Sequence, residues 1–339
     1  MSKQNTITLI NTLMARPILK HAQSLGIDIK AILDKETAVG TYDQLMYLNE
    51  GNIAGYPLRV LMQTAVELGY KDFGVQASLT LDASEVVALV AQTDNSVTNL
   101  YDALVAFCLE MNRYLSTFNF FEMESTNGGV FLRRNQHFVV DLGNEPMELY
   151  SISMLIQLIR YYLNKEWQPD ILWLTSAKPE FSLPDPLTSN HFFYQKPVGK
   201  LFISDVDLQL PVISHSDKHK AQYKKLRPKP DLTHLSAIEL VKNALIPYAM
   251  DALPKFDQLS MVVGCHSKQL QLKLAQEGSG FRQIVLQIKK ERAEELMKNT
   301  DFDLARIAIE LGYQNPTHFS RAMKALMGMT PNQRLKQLR

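Results

Sequence analysis

The sequence predicts an α+β N-terminal domain followed by an all-α C-terminal domain. Three observations lead to this prediction. The chain has 339 residues, more than the roughly 250 to 300 residues at which a single hydrophobic core stops growing. Strand-like runs occur only in the first two-thirds of the chain. After residue 231, apolar residues recur at helical spacing, and single glycines separate the segments.

A basic segment marks the boundary between the two domains. Residues 215–231 contain six Lys and Arg residues, two prolines and few large apolar side chains, a composition typical of a linker. The expected organisation is therefore an N-terminal domain over residues 1–214, a linker over residues 215–231 and a C-terminal domain over residues 232–339.

Helix and strand signals alternate in the N-terminal domain. Apolar residues recur at spacings of three and four at Leu100, Leu104, Phe107, Met111 and Leu115. This spacing predicts a helix with one buried face. Two aromatic or β-branched runs, residues 118–123 and 130–134, flank a Gly-containing turn at 126–129 and predict a hairpin. Residues 171–174 predict a further strand.

The charge of the chain is segregated. The net charge is only +1, but residues 1–216 carry 15 Lys and Arg against 23 Asp and Glu, whereas residues 217–339 carry 21 against 12. A positive field attracts phosphate and a negative field repels it. We therefore expect any contact with nucleic acid to be confined to the C-terminal part.

Residues 303–331 carry the signals of two short helices separated by a tight turn. Asp303 is a suitable N-cap for the first helix. Gly312 suits the left-handed conformation that ends a helix. Three residues later, Asn315 can cap a second helix that begins at Pro316. A three-residue turn between two short helices is typical of a helix-turn-helix unit.

The second of these helices has a polar outward face. The residues expected to interact with DNA are Asn315, Thr317, His318, Ser320, Arg321 and Lys324. Arg321 can donate two hydrogen bonds to guanine or phosphate, and His318 can hydrogen-bond a base edge. A solvated amphipathic helix shows the same pattern, and for one unit alone that explanation is the more common.

A second unit of the same plan strengthens the prediction. Residues 257–278 contain a short apolar-faced helix, Gly264 as its end, and a helix whose inward residues are Leu270 and Leu274. Its residues expected to interact with DNA are Lys268, Gln269, Gln271, Leu272 and Lys273. Residues 281–298 predict one long linker helix between the two helix-turn-helix units. Recognition helices held in this way can enter successive major grooves, about 34 Å apart.

The last hundred residues resemble the DNA-binding domain of the AraC/XylS family, whose signature is matched by IAIELGYQNPTHFSRAMKALMGMTP. The family's first unit is matched less closely by GCHSKQLQLKLAQEGSGF. The resemblance implies control of transcription, usually activation, through double-stranded promoter DNA and RNA polymerase. Carried over by position, it implies base contacts from Lys268, Gln271, Leu272, Thr317, His318 and Arg321.

Several positions depart from the family's pattern. His266 stands where a serine cap is common, and Leu272 stands where a basic residue usually follows the glutamine. Leu272 cannot bind phosphate, but it can pack on a thymine methyl group. Met323 replaces a core phenylalanine, and Arg334 stands near the position where the family ends in an aromatic residue and an arginine.

The N-terminal half resembles the effector-binding half of regulators grouped with ornithine and arginine catabolism controllers, a domain commonly called arabinose-binding-like. The similarity lies in TDNSVTNLYDALVAFCLEMNRYL and NHFFYQKPVGKLFISDVDLQLPV. It implies an unknown small-molecule effector, and a homodimer is an additional expectation. An N-terminal domain that only dimerises is the alternative.

Aromatic residues near the predicted hairpin are candidates for an effector pocket. They are Tyr101, Phe107, Tyr114, Phe118 and Phe120. Burial in a core explains the same spacing equally well. Three arginines, Arg113, Arg133 and Arg134, are candidate partners for a carboxylate, although surface arginines are common.

No catalytic, cofactor or metal site is predicted. Cys108 and Cys265 are too few for a disulfide framework or a thiolate zinc site, which also argues against a repair methyltransferase with this DNA-binding domain. His215 and His219 have helical spacing for a metal but no third ligand nearby. We therefore expect a protein that is not an enzyme. No apolar run approaches the roughly 20 residues of a membrane span, so we expect a cytoplasmic protein without a membrane partner.

Overall fold

Helices and two sheets make up the N-terminal region, whereas the described C-terminal residues form helices without strands. The protein is represented by a computed structural model. It describes residues 7–47, 51–90, 97–136, 142–212, 232–246, 248 and 253–338. The predicted fold class, an α+β region followed by a helical region, is confirmed at this level. The predicted linker, residues 215–231, lies outside the described residues.

The N-terminal region is built around a five-stranded mixed sheet. Its elements are β1 (Leu9–Asn11), α1 (Thr12–Ser24), α2 (Ile29–Glu36), α3 (Thr41–Tyr47), β2 (Asn52–Ala54), α4 (Tyr56–Glu67), α5 (Phe73–Leu79), α6 (Ala83–Val90), α7 (Leu100–Glu110), β3 (Asn119–Thr126), β4 (Gly129–Gln136), α8 (Asn144–Leu163), β5 (Ile171–Trp173), β6 (His191–Phe193), β7 (Gly199–Ser204) and α9 (Asp205–Leu208). The strand order is β3-β4-β7-β5-β6, and only the β5–β6 pair is parallel. Strands β1 and β2 form a separate antiparallel pair.

The predicted helix and hairpin are confirmed with small differences in their bounds. Helix α7 continues as a π-helical turn over Met111–Leu115, and all five predicted inward residues are buried. The hairpin strands β3 and β4 are longer than predicted, because their pairing extends to the turn at Asn127 and Gly128, where Gly128 has a φ of +79°. Strand β5 ends at Trp173, one residue before the predicted end.

One face of the sheet packs against the core that contains α8, a helix buried along most of its length. Successive side chains of a strand point to opposite faces. Along β4, Val130, Leu132 and Arg134 are therefore buried, whereas Phe131 and Arg133 lie half-buried on the other face. The burial of Arg134 is unusual for a charged residue.

The C-terminal region consists of two pairs of short helices around one long helix. After a 3-10 turn at Leu232–His234 come α10 (Ala237–Leu245), α11 (Phe256–Val262), α12 (Ser267–Gln276), α13 (Phe281–Asn299), α14 (Leu304–Glu310), α15 (Pro316–Met327) and α16 (Pro331–Leu338). The long helix α13 matches the predicted linker helix. Its first half contributes Ile284 and Ile288 to one core, and its second half contributes Ala293 and Met297 to another.

Residues 7–11 connect the two regions. Ile7 and Leu9 are buried in the core formed by α10 to α13, whereas Ile10 belongs to the core of the N-terminal region. Alternation along an extended segment explains this division, because neighbouring side chains point to opposite sides. Two residues from the start of the chain therefore complete the hydrophobic core of the first C-terminal helix pair.

Further contacts join the C-terminal region to the N-terminal region. The hydroxyl groups of Thr41 and Tyr248 lie 2.8 Å apart in a buried hydrogen bond. Tyr56, at the start of α4, packs against Gly264, which has a φ of +67°. A Cβ atom on Gly264 would lie 3.0 Å from the Tyr56 ring, so a side chain would be both strained and crowded there.

Replacement of Leu9 by alanine tests the role of this connecting segment. Leu9 is fully buried, and truncation of such a leucine costs about 2–5 kcal/mol because it removes apolar contacts and leaves a cavity. We expect Leu9→Ala to lower the free energy of unfolding by this amount in urea denaturation. Far-UV circular dichroism would follow the helices of both regions, and Trp167 and Trp173 would report on the N-terminal region.

Leu68→Ala is the matched control, because Leu68 is 60% exposed. We expect it to change stability by no more than about 0.5 kcal/mol. Equal stabilities of the Leu9 and Leu68 variants would contradict the packing of Leu9 between the two regions.

Candidate nucleic-acid interface

The second helix pair, α14 and α15, is fixed by the capping residues that the sequence predicts. The Asp303 carboxylate accepts a hydrogen bond from the Arg306 N–H at 2.7 Å. Gly312 adopts a φ of +72° after α14. The Asn315 side chain then accepts from the Thr317 N–H at 2.8 Å, and Pro316 occupies the first position of α15. The N-terminal ends of both helices are therefore satisfied by residues within the pair.

Contacts from α13 and α16 hold this pair in place. The Lys289 ammonium of α13 donates to the Leu311 carbonyl at 2.6 Å and lies 4.6 Å from the centre of the Tyr313 ring. A cation at the carboxyl end of a helix is favoured by the exposed carbonyl groups there. Arg334 of α16 donates to Glu294 at 2.8 Å. The structure thus gives Arg334 a role in holding α16 against α13.

The inner and outer faces of the second pair are sharply different. Its fully buried residues are Ile307, Ala308, Leu311, Phe319 and Met323. Met323 therefore fills the core position at which the family usually has phenylalanine. The six predicted DNA-binding residues are all exposed: Asn315, Thr317, His318, Ser320, Arg321 and Lys324. The polar face of α15 is thus available to a partner.

The first pair, α11 and α12, reaches a similar arrangement with different capping. The side chain of His266, at the N-cap of α12, makes no capping hydrogen bond. Instead, the Ser267 hydroxyl group lies 2.8 Å from the Ser260 hydroxyl group and donates to Asp257 at 3.2 Å. The serine one position later therefore links α12 to α11, which explains why histidine is tolerated at the cap.

The outer face of α12 carries the other predicted DNA-binding residues. Leu270 and Leu274 are buried against the core, as predicted. Lys268, Gln269, Gln271 and Leu272 are exposed, and Lys273 is half-buried. Leu272 is 55% exposed, an apolar side chain among polar ones on a face that a partner can reach.

Comparison with known proteins agrees with this geometry. A family model described as a helix-turn-helix domain matches residues 259–337, a range that runs from within α11 to within α16. The C-terminal region contains an AraC-type helix-turn-helix domain. Curated relatives of the AraC-type domain include uncharacterized HTH-type transcriptional regulators from Mycobacterium tuberculosis and Mycobacterium bovis, each 28% identical over 80 residues. The match covers 24% of this chain and 23% of each relative, so the chain matches about a quarter of their length.

Solved structures of transcription regulators are similar to this chain at low identity. The transcriptional regulator CdpR from Pseudomonas aeruginosa is 13% identical, with a TM-score of 0.40, over 95% of this chain and 97% of that protein. A probable AraC family regulator from Rhodopseudomonas palustris is 18% identical, with a TM-score of 0.28, over 30% of this chain and 97% of that protein. Both proteins are described as transcriptional regulators.

The five aromatic residues predicted to form an effector pocket lie in different environments. Tyr101 is exposed, Tyr114 and Phe120 are half-buried, and Phe107 and Phe118 are buried. Phe107 packs against Phe121, with ring centres 5.5 Å apart. An open cleft of about 310 Å³ has other lining residues, including Phe181, Phe192 and Tyr194. The aromatic pocket therefore stays a prediction.

A metal-binding cluster or a nucleophilic thiol would depend on the His, Cys, Asp and Glu residues in the part of the chain that the structure describes. That part contains no cluster of three or more His, Cys, Asp or Glu residues able to hold a metal ion. His215 and His219 lie outside the described residues. Burial raises the pKa of the Cys108 thiol to about 12, helped by the nearby Glu122 charge, so this thiol is not a nucleophile at neutral pH.

No helix in the described ranges is long and apolar enough to cross a membrane.

Removal of the Asn315 cap tests how α15 is held. Asn315→Ala removes the acceptor for the Thr317 N–H, and we expect a loss of about 1 kcal/mol in the free energy of unfolding. Thermal or urea denaturation would measure it. Gln314→Ala is the control, because this exposed neighbour precedes the cap. Equal stabilities of the two variants would show that the cap contributes nothing.

Proposed function

We propose that this chain is a sequence-specific DNA-binding transcription regulator with two helix-turn-helix units, α11–α12 and α14–α15. The observation that carries the proposal is the arrangement of α12 and α15. Each helix buries one face in its own core and exposes a polar face, and both cores include residues of α13. A shared rigid helix suits recognition helices that enter successive major grooves.

In this proposal, α15 reads bases with Thr317, His318 and Arg321, and Lys324 contacts the phosphate backbone. Arg321 supplies the paired N–H groups that match guanine. Helix α12 presents Lys268 and Gln271 in the same way. The further DNA contacts in this proposal are Gln269 and Lys273 on α12 and Asn315 and Ser320 at α15. The excess of Lys and Arg in residues 217–339 supplies the general attraction to phosphate.

Residues 1–214 form the regulatory domain in this proposal, residues 215–231 the linker and residues 232–339 the DNA-binding domain. The regulatory domain binds a small-molecule effector, and the bound state permits activation through contact with RNA polymerase. The contact of Tyr56 with Gly264 supports this role, because it gives the N-terminal region a direct connection to the turn between α11 and α12. The hydrogen bond between Thr41 and Tyr248 adds a second connection just after α10.

The alternative, a domain that only dimerises, is favoured by the outer face of α7. Tyr101, Val105 and Leu109 are exposed there at intervals of four residues, so they form an apolar stripe on one side of the helix. A second copy of the chain would cover this stripe. Sedimentation analysis of Leu109→Glu beside the unchanged protein tests this face, because a dimer held by α7 would dissociate.

Selection of bound DNA from genomic fragments would test the proposal and identify target promoters. The full chain is required, because a fragment that begins at residue 232 lacks Ile7 and Leu9, which complete the core beneath α12. Recovery of a defined motif with two half-sites about one helical turn apart supports the proposal. Recovery of random fragments at moderate salt contradicts it.

Arg321→Ala should weaken binding to the selected site by about 1–3 kcal/mol and relax specificity at one base pair. Fluorescence anisotropy with single-base variants of the site would measure both effects. Arg306→Ala is the control, because Arg306 lies on α14 and donates to Glu310 at 2.8 Å. Equal weakening on every DNA sequence would instead make Arg321 a phosphate contact.

Leu272 should recognise a thymine methyl group. Replacement of that thymine by uracil removes one methyl group, so it should cost the unchanged protein about 0.8 kcal/mol, close to fourfold in affinity. Leu272→Ala should bind the two DNA versions equally. Uracil substitutions in the half-site bound by α15 provide the control, because they should affect both proteins alike. Indifference of the unchanged protein to uracil throughout the first half-site would contradict this role.

A further inference from the structure

Two buried arginine side chains in the N-terminal region have no acidic partner among the residues that the structure describes. Arg59 of α4 and Arg134 of β4 are each 2% exposed. Neither guanidinium group forms an ion pair within 4.0 Å among the described residues. Arginine is almost never fully buried unless it is paired, and a buried charge without a counter-charge costs several kcal/mol. The pair therefore calls for a physical explanation.

Each guanidinium group also has an N–H donor without an acceptor. Arg59 donates from Nη1 to the Leu142 carbonyl at 3.1 Å, but its Nη2 has no hydrogen-bond partner. The Nε of Arg134 likewise has none. Its terminal nitrogens lie 2.9 Å from the neutral side-chain amide of Gln136, whose oxygen accepts from both when turned toward them. Buried donors left open in this way often mark the place of a bound ion or water.

The buried carboxylate of Glu148, whose charge acts on Arg134, already accepts hydrogen bonds from other residues. Glu148 accepts hydrogen bonds from the backbone N–H and hydroxyl groups of Thr175 and from the N–H of Ser176, at 2.8–3.0 Å. Burial, and then the charge of Arg134, lowers the pKa of Arg59 to about 9. Burial lowers the pKa of Arg134 to about 10, although the Glu148 charge acts in the opposite direction. Both arginines therefore remain charged at neutral pH and repel each other.

We propose that Arg59 and Arg134 form a binding site for a small organic carboxylate, which is the effector of the regulator proposed above. The planar guanidinium group matches a carboxylate with two parallel hydrogen bonds. The Arg59 guanidinium lies 4.0 Å above the centre of the Phe118 ring, so apolar surface adjoins the charged groups. A singly charged carboxylate on an organic body suits such surroundings better than a doubly charged phosphate, because less charge has to leave water.

The position of Arg59 connects this site to the first helix-turn-helix unit. Arg59 lies one helical turn after Tyr56 on α4, and Tyr56 packs against Gly264 in the turn before α12. A ligand that binds Arg59 therefore contacts α4 within one turn of Tyr56, the residue that packs against the proposed DNA-binding domain.

Thermal unfolding of the full chain in acetate, benzoate, inorganic phosphate or chloride, at one ionic strength, tests the site. We expect benzoate and acetate to raise the Tm saturably, by about 2–4 °C once the anion exceeds its Kd about fivefold. Phosphate should have no more effect than chloride. A carboxylate effect equal to that of chloride overturns the proposal, and a larger effect of phosphate overturns the choice of carboxylate.

Substitutions separate a binding role from a structural one. Arg134→Met should leave the Tm without carboxylate unchanged or raise it, because it removes an unpaired buried charge, and it should abolish the carboxylate shift. Arg134→Lys keeps the charge but loses the planar fork, so it too should lose most of the shift. Arg133→Met is the matched control on the opposite face of β4 and should keep the shift. Retention of the shift in both Arg134 variants overturns the proposal.

The effector role has a separate readout. Saturating benzoate should change the affinity of the unchanged protein for its selected DNA site, and Arg59→Met should lose that response. A Tm shift without any change in DNA affinity supports the anion site and overturns its effector role. Absence of DNA binding in every condition overturns the proposed function and leaves the Tm result standing.

Discussion

The C-terminal region depends on one helix that belongs to two hydrophobic cores. Ile284 and Ile288 of α13 pack with the first helix pair, and Ala293 and Met297 pack with the second. A helix rises 1.5 Å per residue, so the distance between the two cores is set by the number of residues between these positions. Because both cores exclude water on opposite halves of the same rigid element, neither pair can rotate freely about α13 without exposing apolar surface.

The two helix pairs are nevertheless not equivalent. The first pair shares its core with Ile7 and Leu9, and it contacts Tyr56 through Gly264. The core of the second pair is formed entirely by residues of the C-terminal region. Among the described residues, the N-terminal region therefore contacts the core of α12 directly, whereas α15 is connected to that core through α13. Under the proposed function, this asymmetry would let the N-terminal region alter α12 while α15 stays folded and available to DNA.

The sequence predicted what local chemistry determines and missed what distant packing determines. Asp303, Gly312 and Asn315 act within a few residues of their own position, so their roles as helix ends followed from residue type and spacing. The packing of Leu9 into the C-terminal core joins residues more than 200 positions apart, and no periodic signal carries such information. For Arg134, alternation along β4 places the side chain on the core face of the sheet. Because arginine generally prefers the surface, its burial was not predicted from the sequence.

In the proposed regulation, the buried arginines provide the binding free energy that a regulatory ligand needs. A ligand shifts a conformational equilibrium only by the difference in its affinity for the two states. A carboxylate that bridges Arg59 and Arg134 binds strongly only where α4 and β4 hold both groups together, since binding to one arginine alone leaves the other without that counter-charge. Tyr56, which packs against Gly264, lies one helical turn before Arg59 on the same helix. In the proposed regulation, occupancy of the arginine site and the position of α12 are coupled, and the coupling must act equally in both directions.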